Sequence, residues 1–343
     1  MFVKNAWYMA AWPEEVTDKP MARTLLGEPV VLYRQEDGKA VALEDRCAHR
    51  NLPLSMGEVD GKAIVCAYHG LAYGADGRCV RVPAQEQIPS AARVRSYLLV
   101  EQDGALWIWM GDPKLADPSL IVPYPWHQDP GWAHKHSYYH IEGQYQLLHE
   151  NLLDLSHVGW VHRKTIGGTP DAHSLANMKT EREGDKVTVR RYLPGSVPPP
   201  TYVRAVGFTD LIDRWMKIEF FPTLTRVYTG ANDAGEGVDE ANQMDRLGAR
   251  IFNGITPETE HTTHYFWSAA HNFKVDQPAV TDAFFREIEV TFLEDKVVME
   301  AQYSRMRALP SARTFDIRSD LGGSQARKVI AQRLQAEAEG VNA

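Results

Sequence analysis

The amino-acid sequence predicts an α+β protein with two domains, an all-β domain over residues 1–113 and a larger mixed domain over residues 114–343. In the first domain, short apolar segments alternate with turns roughly every 8–12 residues, which is typical of a small β-sandwich or barrel. In the second domain, strand-like segments are grouped in the middle with helical segments before and after them, which favours α+β. A chain of 343 residues is long enough for each domain to bury its own hydrophobic core.

The first domain is predicted from apolar segments that flank turn residues. Turns at 36–38 and 102–104 each contain Asp and Gly and join two strands into a hairpin. Pro113 ends the domain, and an Asp- and Pro-rich segment to residue 130 forms a linker. The predicted strands are 29–33, 40–43, 63–66, 95–100 and 105–109.

The second domain combines two periodicities. Alternation with a period of two residues predicts an antiparallel sheet with one buried face, over strands at 186–190, 215–220, 224–228, 249–252 and 261–267. Apolar residues at helical spacing predict helices at 140–161, 280–306 and 324–338.

Composition and charge exclude several classes of protein. A formal net charge of −8 argues against a nucleic-acid partner or an anionic membrane surface. The sequence contains no uncharged apolar segment of about 18 residues, and its first residues do not resemble a signal peptide. Three cysteines provide no disulfide framework, so we expect a reducing cytoplasm, with Cys79 as a buried structural thiol.

Two short motifs combine cysteine with histidine. Cys47 and His49 form a Cys-x-His pair, and Cys66 and His69 form a Cys-x-x-His pair. Two thiolates and two imidazoles offered by matching loops are expected to form a metal site. Zinc is one reading, but zinc sites usually group Cys with Cys and His with His. One thiolate and one imidazole from each loop favour a [2Fe-2S] cluster of Rieske type, in which two imidazoles replace two thiolates on one iron.

A second constellation occupies residues 151–162. Asn151, Asp154 and His157 are spaced by three, so on a helix they would share one face. His162 follows His157 by five residues, about 140° round an ideal helix, so both can bind one ion only if the helix ends or bulges between them. Gly159 is the position that we expect for such a break. A capped helix with a solvated polar stripe is the alternative at this point.

The long predicted helix places a carboxylate among apolar residues. Its core-facing stripe has spacings of four and three and comprises Ile288, Phe292, Asp295, Met299 and Gln302. A carboxylate in such a stripe is costly unless it is paired or bound to a metal, whereas the adjacent Glu294 is expected to be solvated. His157, His162 and Asp295 are together the ligand set of a mononuclear non-haem Fe(II) site. A salt bridge from Asp295 to Lys or Arg is the alternative.

With these motifs, the chain resembles the oxygenase components of the vanillate O-demethylase and dicamba monooxygenase family. The resemblance runs end to end, from Asn-Ala-Trp-Tyr-Met-Ala near the start to Gly-Gly-Ser-Gln-Ala-Arg-Lys-Val-Ile near the end. It implies a Rieske domain joined to a helix-grip (START-like) catalytic domain. It also implies cluster ligands at Cys47, His49, Cys66 and His69, and iron ligands at His157, His162 and Asp295.

The resemblance further implies a ring-shaped homotrimer. Asp154 corresponds to a bridging aspartate that accepts hydrogen bonds from His157 and, across the subunit interface, from the partner subunit's His69. A carboxylate in this position orients both imidazoles. Asn151 corresponds to an asparagine near the iron.

The implied activity is a monooxygenase reaction. Electrons from NAD(P)H are expected to arrive through a separate reductase or ferredoxin, pass to the cluster and then to Fe(II), and activate O₂. Hydroxylation of the methyl group of a methoxylated aromatic acid gives a hemiacetal, which collapses to a phenol and formaldehyde. Ring dihydroxylation, N-demethylation or hydroxylation of another aromatic, and a non-catalytic electron carrier are the alternatives.

The substrate pocket is expected between the inner face of the sheet and the long helix. Its candidate residues are Asn253, His264, Trp267 and His271. Two departures from the family pattern stand out. Asn51-Leu52 replace a sequence resembling Gly-Ala, which we interpret as a surface difference near the reductase. Asn272-Phe273 follow His271 where an Arg is common in relatives, which leaves the mode of carboxylate binding open.

Overall fold

The computed structural model of the protein describes residues 1–83, 85–237 and 246–340. These residues belong to two units. The first consists of Met1–Val122 and Thr256–Glu260, and the second of Pro123–Ile255 and His261–Ala343. The predicted α+β class is confirmed, with an all-β unit first and a mixed unit second.

The first unit is built from two antiparallel sheets. A six-stranded sheet has the order β1-β10-β9-β4-β3-β2, and a four-stranded sheet has the order β5-β6-β7-β8. The strands are β1 Trp7–Ala11, β2 Met21–Leu25, β3 Glu28–Arg34, β4 Ala40–Glu44, β5 Glu58–Asp60, β6 Ala63–Val65, β7 Ala72–Tyr73, β8 Cys79–Arg81, β9 Ser96–Gln102 and β10 Ala105–Trp109.

Strand β3 explains how the two sheets are held together. Val30 and Leu32 belong to one buried apolar cluster, with residues of β1, β2 and β10. Val31 and Tyr33 belong to a second cluster, which also contains Cys47 and residues of β6 and β7. Because successive side chains of a strand point to opposite faces, a strand buried on both sides reads as a continuous apolar run. The small sheet with its cysteine loops is therefore fixed to the back of the larger sheet.

The second unit is a seven-stranded antiparallel sheet with helices. The strand order is β11-β17-β16-β15-β14-β13-β12. The strands are β11 Ala133–Ile141, β12 Asn177–Glu183, β13 Lys186–Ser196, β14 Ile212–Phe221, β15 Leu224–Asp233, β16 Leu247–Pro257 and β17 Thr263–His271. The helices are α1 Tyr145–Leu153, α2 Val158–Val161, α3 Pro170–Leu175, α4 Pro200–Val206, α5 Pro278–Ala308 and α6 Leu321–Ala338. No helix within the described ranges is long and apolar enough to cross a membrane.

Helix α5 is the longest element, with 31 residues. Its buried residues recur every three or four positions and include Asp295, as the periodicity predicts. The prediction of Gln302 in this stripe is wrong, because Gln302 is exposed and the next residue, Tyr303, is buried instead. The hydroxyl of Tyr303 lies 2.7 Å from Nδ1 of His261.

The predicted helix at 140–161 is wrong as a single element. Its first residues extend β11, which pairs with β17 along its whole length, and the rest divides into α1 and α2. Helix α1 ends because Asp154 adopts an extended conformation, with φ −103° and ψ 100°. Sheet pairing and this cap therefore override the apolar periodicity. The strands β1, β2, β5, β7, β8, β11 and β12 and the helices α3 and α4 were not predicted.

Two buried histidines should make the second unit sensitive to acid. Burial lowers the pKa of His149 to about 3, and burial followed by the charge of Arg214 lowers the pKa of His173 to about 3. In the unfolded chain both pKa values return to about 6.5, so below this pH the unfolded state binds more protons than the folded state. Stability is therefore present above pH 6.5 and is lost as the pH falls towards 3.

At pH 5 each histidine should cost about 2 kcal/mol of folding free energy relative to pH 7. Urea unfolding of the full chain at both pH values measures this loss. Replacing His149 with Asn should reduce the slope of the unfolding free energy against pH, by an amount equal to the uptake of up to one proton on unfolding. An identical slope in wild type and variant would contradict the assignment.

Candidate metal centres

The two Cys/His loops of the first unit have the same backbone hydrogen bonds. In each loop the N–H of the cysteine donates to the carbonyl five residues later, and its carbonyl accepts from the amide four residues later. The pairs are Cys47 with Leu52 (2.8 Å) and Asn51 (2.9 Å), and Cys66 with Leu71 (2.8 Å) and Gly70 (3.0 Å). Each loop thus presents one thiol and one imidazole in an equivalent way.

The fourth residue after each cysteine has a positive φ, 59° at Asn51 and 71° at Gly70. This conformation favours glycine, and Asn is one of the few other residues that adopts it readily. Asn51 is exposed, as expected for a surface difference, but it is not freely replaceable. Its identity is constrained by the turn of the loop that carries His49.

The four side chains are arranged with sulfur inside and nitrogen outside. Cys47 and Cys66 are buried, with 2% and 1% of their surface exposed, whereas His49 and His69 are exposed. The two imidazole centroids are 4.6 Å apart. Burial raises the pKa of the Cys66 thiol, and contact with Cys47 raises it further. Two buried thiols that face each other suit a bound metal, which stabilises their thiolate forms.

Tyr73 on β7 contacts this group and was not predicted. Its hydroxyl oxygen accepts a hydrogen bond from the N–H of Ala48 at 3.1 Å and lies 3.3 Å from Sγ of Cys47. Once Cys47 is a metal-bound thiolate its sulfur can only accept, so the phenolic O–H of Tyr73 then donates to it. Hydrogen bonds to cluster sulfurs raise the reduction potential. A tyrosine four residues after His69, in the short buried strand β7, is the signal in the sequence that could have identified it.

The third cysteine lies apart from this hydrogen-bonding pattern. Cys79 is 7% exposed, and its thiol donates to the carbonyl of Arg81 at 3.3 Å. Its prediction as a buried thiol is confirmed. All three cysteines are free.

In the second unit, His157, His162 and Asp295 converge. One ligand atom from each lies within 4.8 Å of the others. Oδ1 of Asp295 is 3.4 Å from Nε2 of His157 and 3.1 Å from Nε2 of His162. Two imidazole nitrogens and one carboxylate oxygen thus point to a common position. These donors fit the chemistry of a mononuclear non-haem iron.

The short helix α2 explains how His157 and His162, five residues apart, can face one position. His157 immediately precedes α2 and His162 immediately follows it, so a single helical turn separates the two imidazoles. The expected break at Gly159 does not occur, because Gly159 lies within α2. A Cβ at this position would be 2.6 Å from Cα of Pro170, so close packing against the chain requires glycine there.

His157 is oriented by the backbone of Asp154. Nδ1 of His157 lies 2.5 Å from the carbonyl oxygen of Asp154, and the Asp154 carboxylate binds the backbone N–H and hydroxyl of Ser156 at 2.8 and 3.0 Å. The expected bond from His157 to the Asp154 carboxylate is therefore replaced by one to its carbonyl. The reason is that helix α1 ends at Leu153, so Asn151, Asp154 and His157 do not share a helix face.

Glu294 orients the other imidazole. Its Oε2 lies 2.8 Å from Nδ1 of His162, which is only 1% exposed. The expectation that Glu294 is solvated is therefore wrong. With Nδ1 bonded to a carboxylate, Nε2 is the ring nitrogen left to face Asp295 and to bind a metal there. A second acidic residue directly beside Asp295 on α5 is the signal that could have identified this contact.

Asp295 is held by three neighbours. Burial alone would raise the pKa of this carboxyl, but hydrogen bonds and charge from His157 and His162 lower it overall. Nδ2 of Asn151 donates to its Oδ1 at 3.0 Å. The carboxylate is therefore ionised and fixed in position, as a metal ligand must be.

A cavity adjoins the three converging side chains. As predicted, it lies between the inner face of the sheet and α5. Its apolar walls come from α1, α2, β14, β15, β16 and α5, and its lining comprises Asn151, Leu152, Leu155, His157, Val158, His162, Ile166, Tyr202, Arg214, Met216, Val227, Thr229, Ile251, Phe284, Ile288, Thr291, Phe292 and Asp295.

The four residues suggested as substrate contacts lie outside this lining. The amide of Asn253 binds the carbonyl of Thr225 and the hydroxyl of Tyr265. Nδ1 of His264 lies 2.8 Å from the hydroxyl of Tyr138.

The other two pack beneath α5. The indole of Trp267 stacks on Phe285, with centroids 4.7 Å apart. Both ring nitrogens of His271 are engaged, by the carbonyl of Phe273 and the hydroxyl of Thr281, each at 2.9 Å. The structure does not bring these four residues to the cavity, because sheet and helix contacts hold them elsewhere.

Comparison with known proteins agrees with both centres. Residues 6–97 match the Rieske [2Fe-2S] domain, and residues 141–336 match the vanillate O-demethylase oxygenase C-terminal domain. The chain is 40% identical to the putative toluene-4-sulfonate monooxygenase system iron-sulfur subunit TsaM2 of Comamonas testosteroni, over 98% of both chains. It is 36% identical to the vanillate O-demethylase oxygenase subunit of Pseudomonas sp. strain HR199, over 100% of this chain and 98% of that one.

A solved structure with the same fold is dicamba monooxygenase bound to 3,6-dichlorosalicylic acid. The TM-score is 0.92 at 33% identity, over 98% of this chain and 99% of the other. Fold, donor sets and comparisons together define a Rieske non-haem iron oxygenase. Within that class, the chain belongs to the vanillate O-demethylase oxygenase family. A Rieske [2Fe-2S] cluster and a non-haem iron are its cofactors.

Removal of the Glu294 carboxylate should weaken iron binding. Glu294→Ala leaves Nδ1 of His162 without its acceptor, and loss of such a partner typically lowers metal affinity roughly 10–100-fold. Glu294→Gln keeps a hydrogen-bond acceptor without the charge, so its iron affinity should lie between those of Glu294→Ala and wild type. Glu289→Ala, on the same helix, is the matched control. Iron retained during dialysis against a ferrous chelator measures the effect, and equal retention in Glu294→Ala and wild type would show that the contact does not support the site.

Proposed function

We propose that the protein is the oxygenase of a multicomponent monooxygenase that demethylates a methoxylated, vanillate-like aromatic acid. The observation that carries this proposal is the opening of the His157, His162 and Asp295 group into a cavity with mainly apolar walls. Such a cavity suits an aromatic ring and excludes water. The balanced reaction consumes the methoxyarene, O₂, two electrons and two protons, and gives the phenol, formaldehyde and water.

We assign the iron ligands to His157, His162 and Asp295. When bound, the iron supplies the oxidising power by activating O₂. The protein orients the metal ligands and the substrate and excludes water from the cavity. Glu294 and the carbonyl of Asp154 fix the two imidazoles, and Asn151 holds the carboxylate. Hydroxylation of the methyl group then forms a hemiacetal of the substrate, which collapses to the phenol and formaldehyde.

We assign the cluster ligands to Cys47, His49, Cys66 and His69. Support comes from the equivalent hydrogen bonds of the two loops and from their mixed donor sets. The exposed imidazoles of His49 and His69 give electrons a route to and from the surface. The electron donor is an NAD(P)H-dependent reductase or a ferredoxin, as the names of the related oxygenase subunits and components suggest. Such a donor, together with thiols kept unpaired, fits a cytoplasmic location.

A second candidate reaction is hydroxylation of the methyl group of a sulfonated aromatic. The toluene-4-sulfonate monooxygenase subunits TsaM2 and TsaM1, at 40% and 38% identity, favour it. Both reactions oxidise a methyl group beside an aromatic ring that carries an anion. They differ in product, since a hydroxylated aryl methyl group is a stable alcohol that releases no formaldehyde.

We also propose that the protein assembles as a homotrimer in which the cluster of one subunit serves the iron of the next. Asp154 supports this arrangement. Its carbonyl accepts from His157. Its half-buried carboxylate accepts two hydrogen bonds from Ser156 and has capacity for another donor. That donor would be the partner subunit's His69. A head-to-tail contact that closes after three steps forms a ring.

The reaction is tested by incubating the holoenzyme with reductase, NADH and a panel of methoxybenzoates. Release of formaldehyde in proportion to NADH consumption is expected for at least one compound. Asp295→Ala should abolish release and remove one iron of three while leaving the visible spectrum of the cluster intact. Asp282→Ala, which removes a half-buried carboxylate on the same helix that pairs with Lys135, is the control. NADH oxidation without formaldehyde from any compound would contradict demethylation, and an alcohol product from methylarenesulfonates would favour the second candidate.

The assembly is tested by light scattering of the holoenzyme in solution. A homotrimer has three times the 38.7 kDa mass of the chain. Electron transfer between neighbouring subunits requires this association at the concentrations used for assay. A single-chain mass with full activity would contradict the proposed arrangement.

A further inference from the structure

One positively charged side chain, Arg214, lines the cavity and belongs to neither metal centre. Arg214 lies on β14 and lines the cavity together with Met216, two residues further along the same strand. Side chains two residues apart in a strand share a face. Met216 pairs with Thr229 of β15, which also lines the cavity, so this face of the sheet is the cavity wall.

Arg214 is buried, with 3% of its surface exposed. A buried guanidinium is costly unless its charge is paired. Among the residues that the structure describes, no carboxylate lies within ion-pair distance of it, whereas the buried Glu219 on the same strand is bridged to Lys217 and Arg226. The fold therefore maintains a cation at the cavity wall without supplying an anion.

The contacts of Arg214 do not use all of its N–H donors. Nη1 donates to the carbonyl of Ile166 at 2.9 Å, and the guanidinium lies over the ring of Tyr202, 4.8 Å from its centroid. Nε is buried without a hydrogen-bond partner. A guanidinium has five N–H donors in a planar fork that matches carboxylate and sulfonate oxygens. The geometry leaves room for an acceptor from a bound molecule.

The neighbouring histidine does not compete for this role. Nε2 of His173 lies 2.7 Å from the carbonyl of Gly167, to which it donates, and 3.4 Å from Nη1 of Arg214. Burial and the charge of Arg214 lower the pKa of His173 to about 3, so the imidazole is neutral near pH 7. The positive charge at this wall is therefore that of Arg214.

The opposite charge is placed at the metal group. Asp295 is the carboxylate among the cavity-lining residues and lies with His157 and His162. An aromatic acid in this cavity is steered by both charges, with its anion to Arg214 and its neutral methyl-bearing end towards the metal ligands. Apolar side chains such as Ile251 and Phe292 line the walls for the ring.

We propose that Arg214 binds the anionic group of the aromatic substrate, carboxylate or sulfonate, and thereby determines which end of the molecule faces the metal centre. The inference rests on the proposed function in that it takes the substrate to be an aromatic acid bound in this cavity. It identifies Arg214 as a specificity-determining residue of the cavity.

The test measures binding and turnover separately. Isothermal titration of the oxidised holoenzyme, without electron donor, uses pairs of equal shape and different charge: the isomeric methoxybenzoates, the matching methoxybenzamides and the methoxybenzenesulfonates. Wild type should bind at least one anion ten times or more tighter than its amide. The carboxylate and sulfonate series then show which anion the site prefers.

Arg214→Met should weaken binding of the preferred anion roughly 10–100-fold, because charge-assisted hydrogen bonds are lost, and should change amide binding less than about threefold. Arg214→Lys should retain a reduced preference for the anion. Arg286→Gln, an exposed arginine on α5, should bind as wild type. Iron content is measured in each variant, since Arg214 also holds the loop that follows His162.

Equal binding of acid and amide by wild type across the panel would overturn the proposal, and this arm does not depend on any variant folding. If Arg214→Met lost affinity for the anion and for the amide equally, or lost its iron, Arg214 would have a purely structural role. The two proposals fail separately. Arg214-dependent binding of acids without formaldehyde release would refute demethylation alone, and unchanged release by Arg214→Met would refute the role of Arg214 alone.

Discussion

A single buried carboxylate sets the constraint on which the second unit depends. Asp295 is 6% exposed in the apolar face of α5, and a buried carboxylate stays ionised only if cations or hydrogen-bond donors surround it. Two imidazoles and the amide of Asn151 satisfy it. The elements around it bring those groups into place. Helix α1 supplies Asn151, the single turn of α2 separates the histidines, and Gly159 allows that turn to pack against Pro170.

The first unit meets a related requirement with a different scaffold. The first cysteine loop connects β4 to β5 and the second connects β6 to β7. Both cysteines pack in the cluster on the second apolar face of β3, so the thiols are buried while the imidazoles reach solvent. Rigid backbone hydrogen bonds and positive φ angles at Asn51 and Gly70 fix each loop. In both centres, particular residues hydrogen-bond to the side chains that would bind the metal. Tyr73 contacts Cys47, and Glu294 contacts His162.

The sequence predicted features that depend on composition, spacing and periodicity. The mixed Cys/His motifs, the α5 stripe with Asp295 and the all-β first domain all follow from residue type and local spacing. Features decided by contacts between distant residues could not be predicted in the same way. The predicted helix began at His140, within β11, because the pairing of β11 with β17 joins residues more than 120 positions apart, and Glu294 was expected to be solvated because His162 belongs to another element.

The pocket illustrates the same limit at the level of single residues. Polar and aromatic residues of β16 and β17 were expected to face the substrate, but the hydroxyls of Tyr138, Tyr265 and Thr281 bind three of them in the sheet or under α5. The sheet contributes to the cavity wall instead through alternate residues of β14 and β15 and through Ile251 of β16, and β14 carries an arginine there. A charged residue in such a strand is itself informative, since burial of charge requires a partner.

Anomalous diffraction from a crystal of the holoenzyme at the iron absorption edge tests the central claim most directly. The account predicts a two-iron peak bounded by Cys47, His49, Cys66 and His69, and a separate single-iron peak equidistant from His157, His162 and Asp295. Iron density absent from the second position, or a zinc signal between the two cysteines, would contradict it.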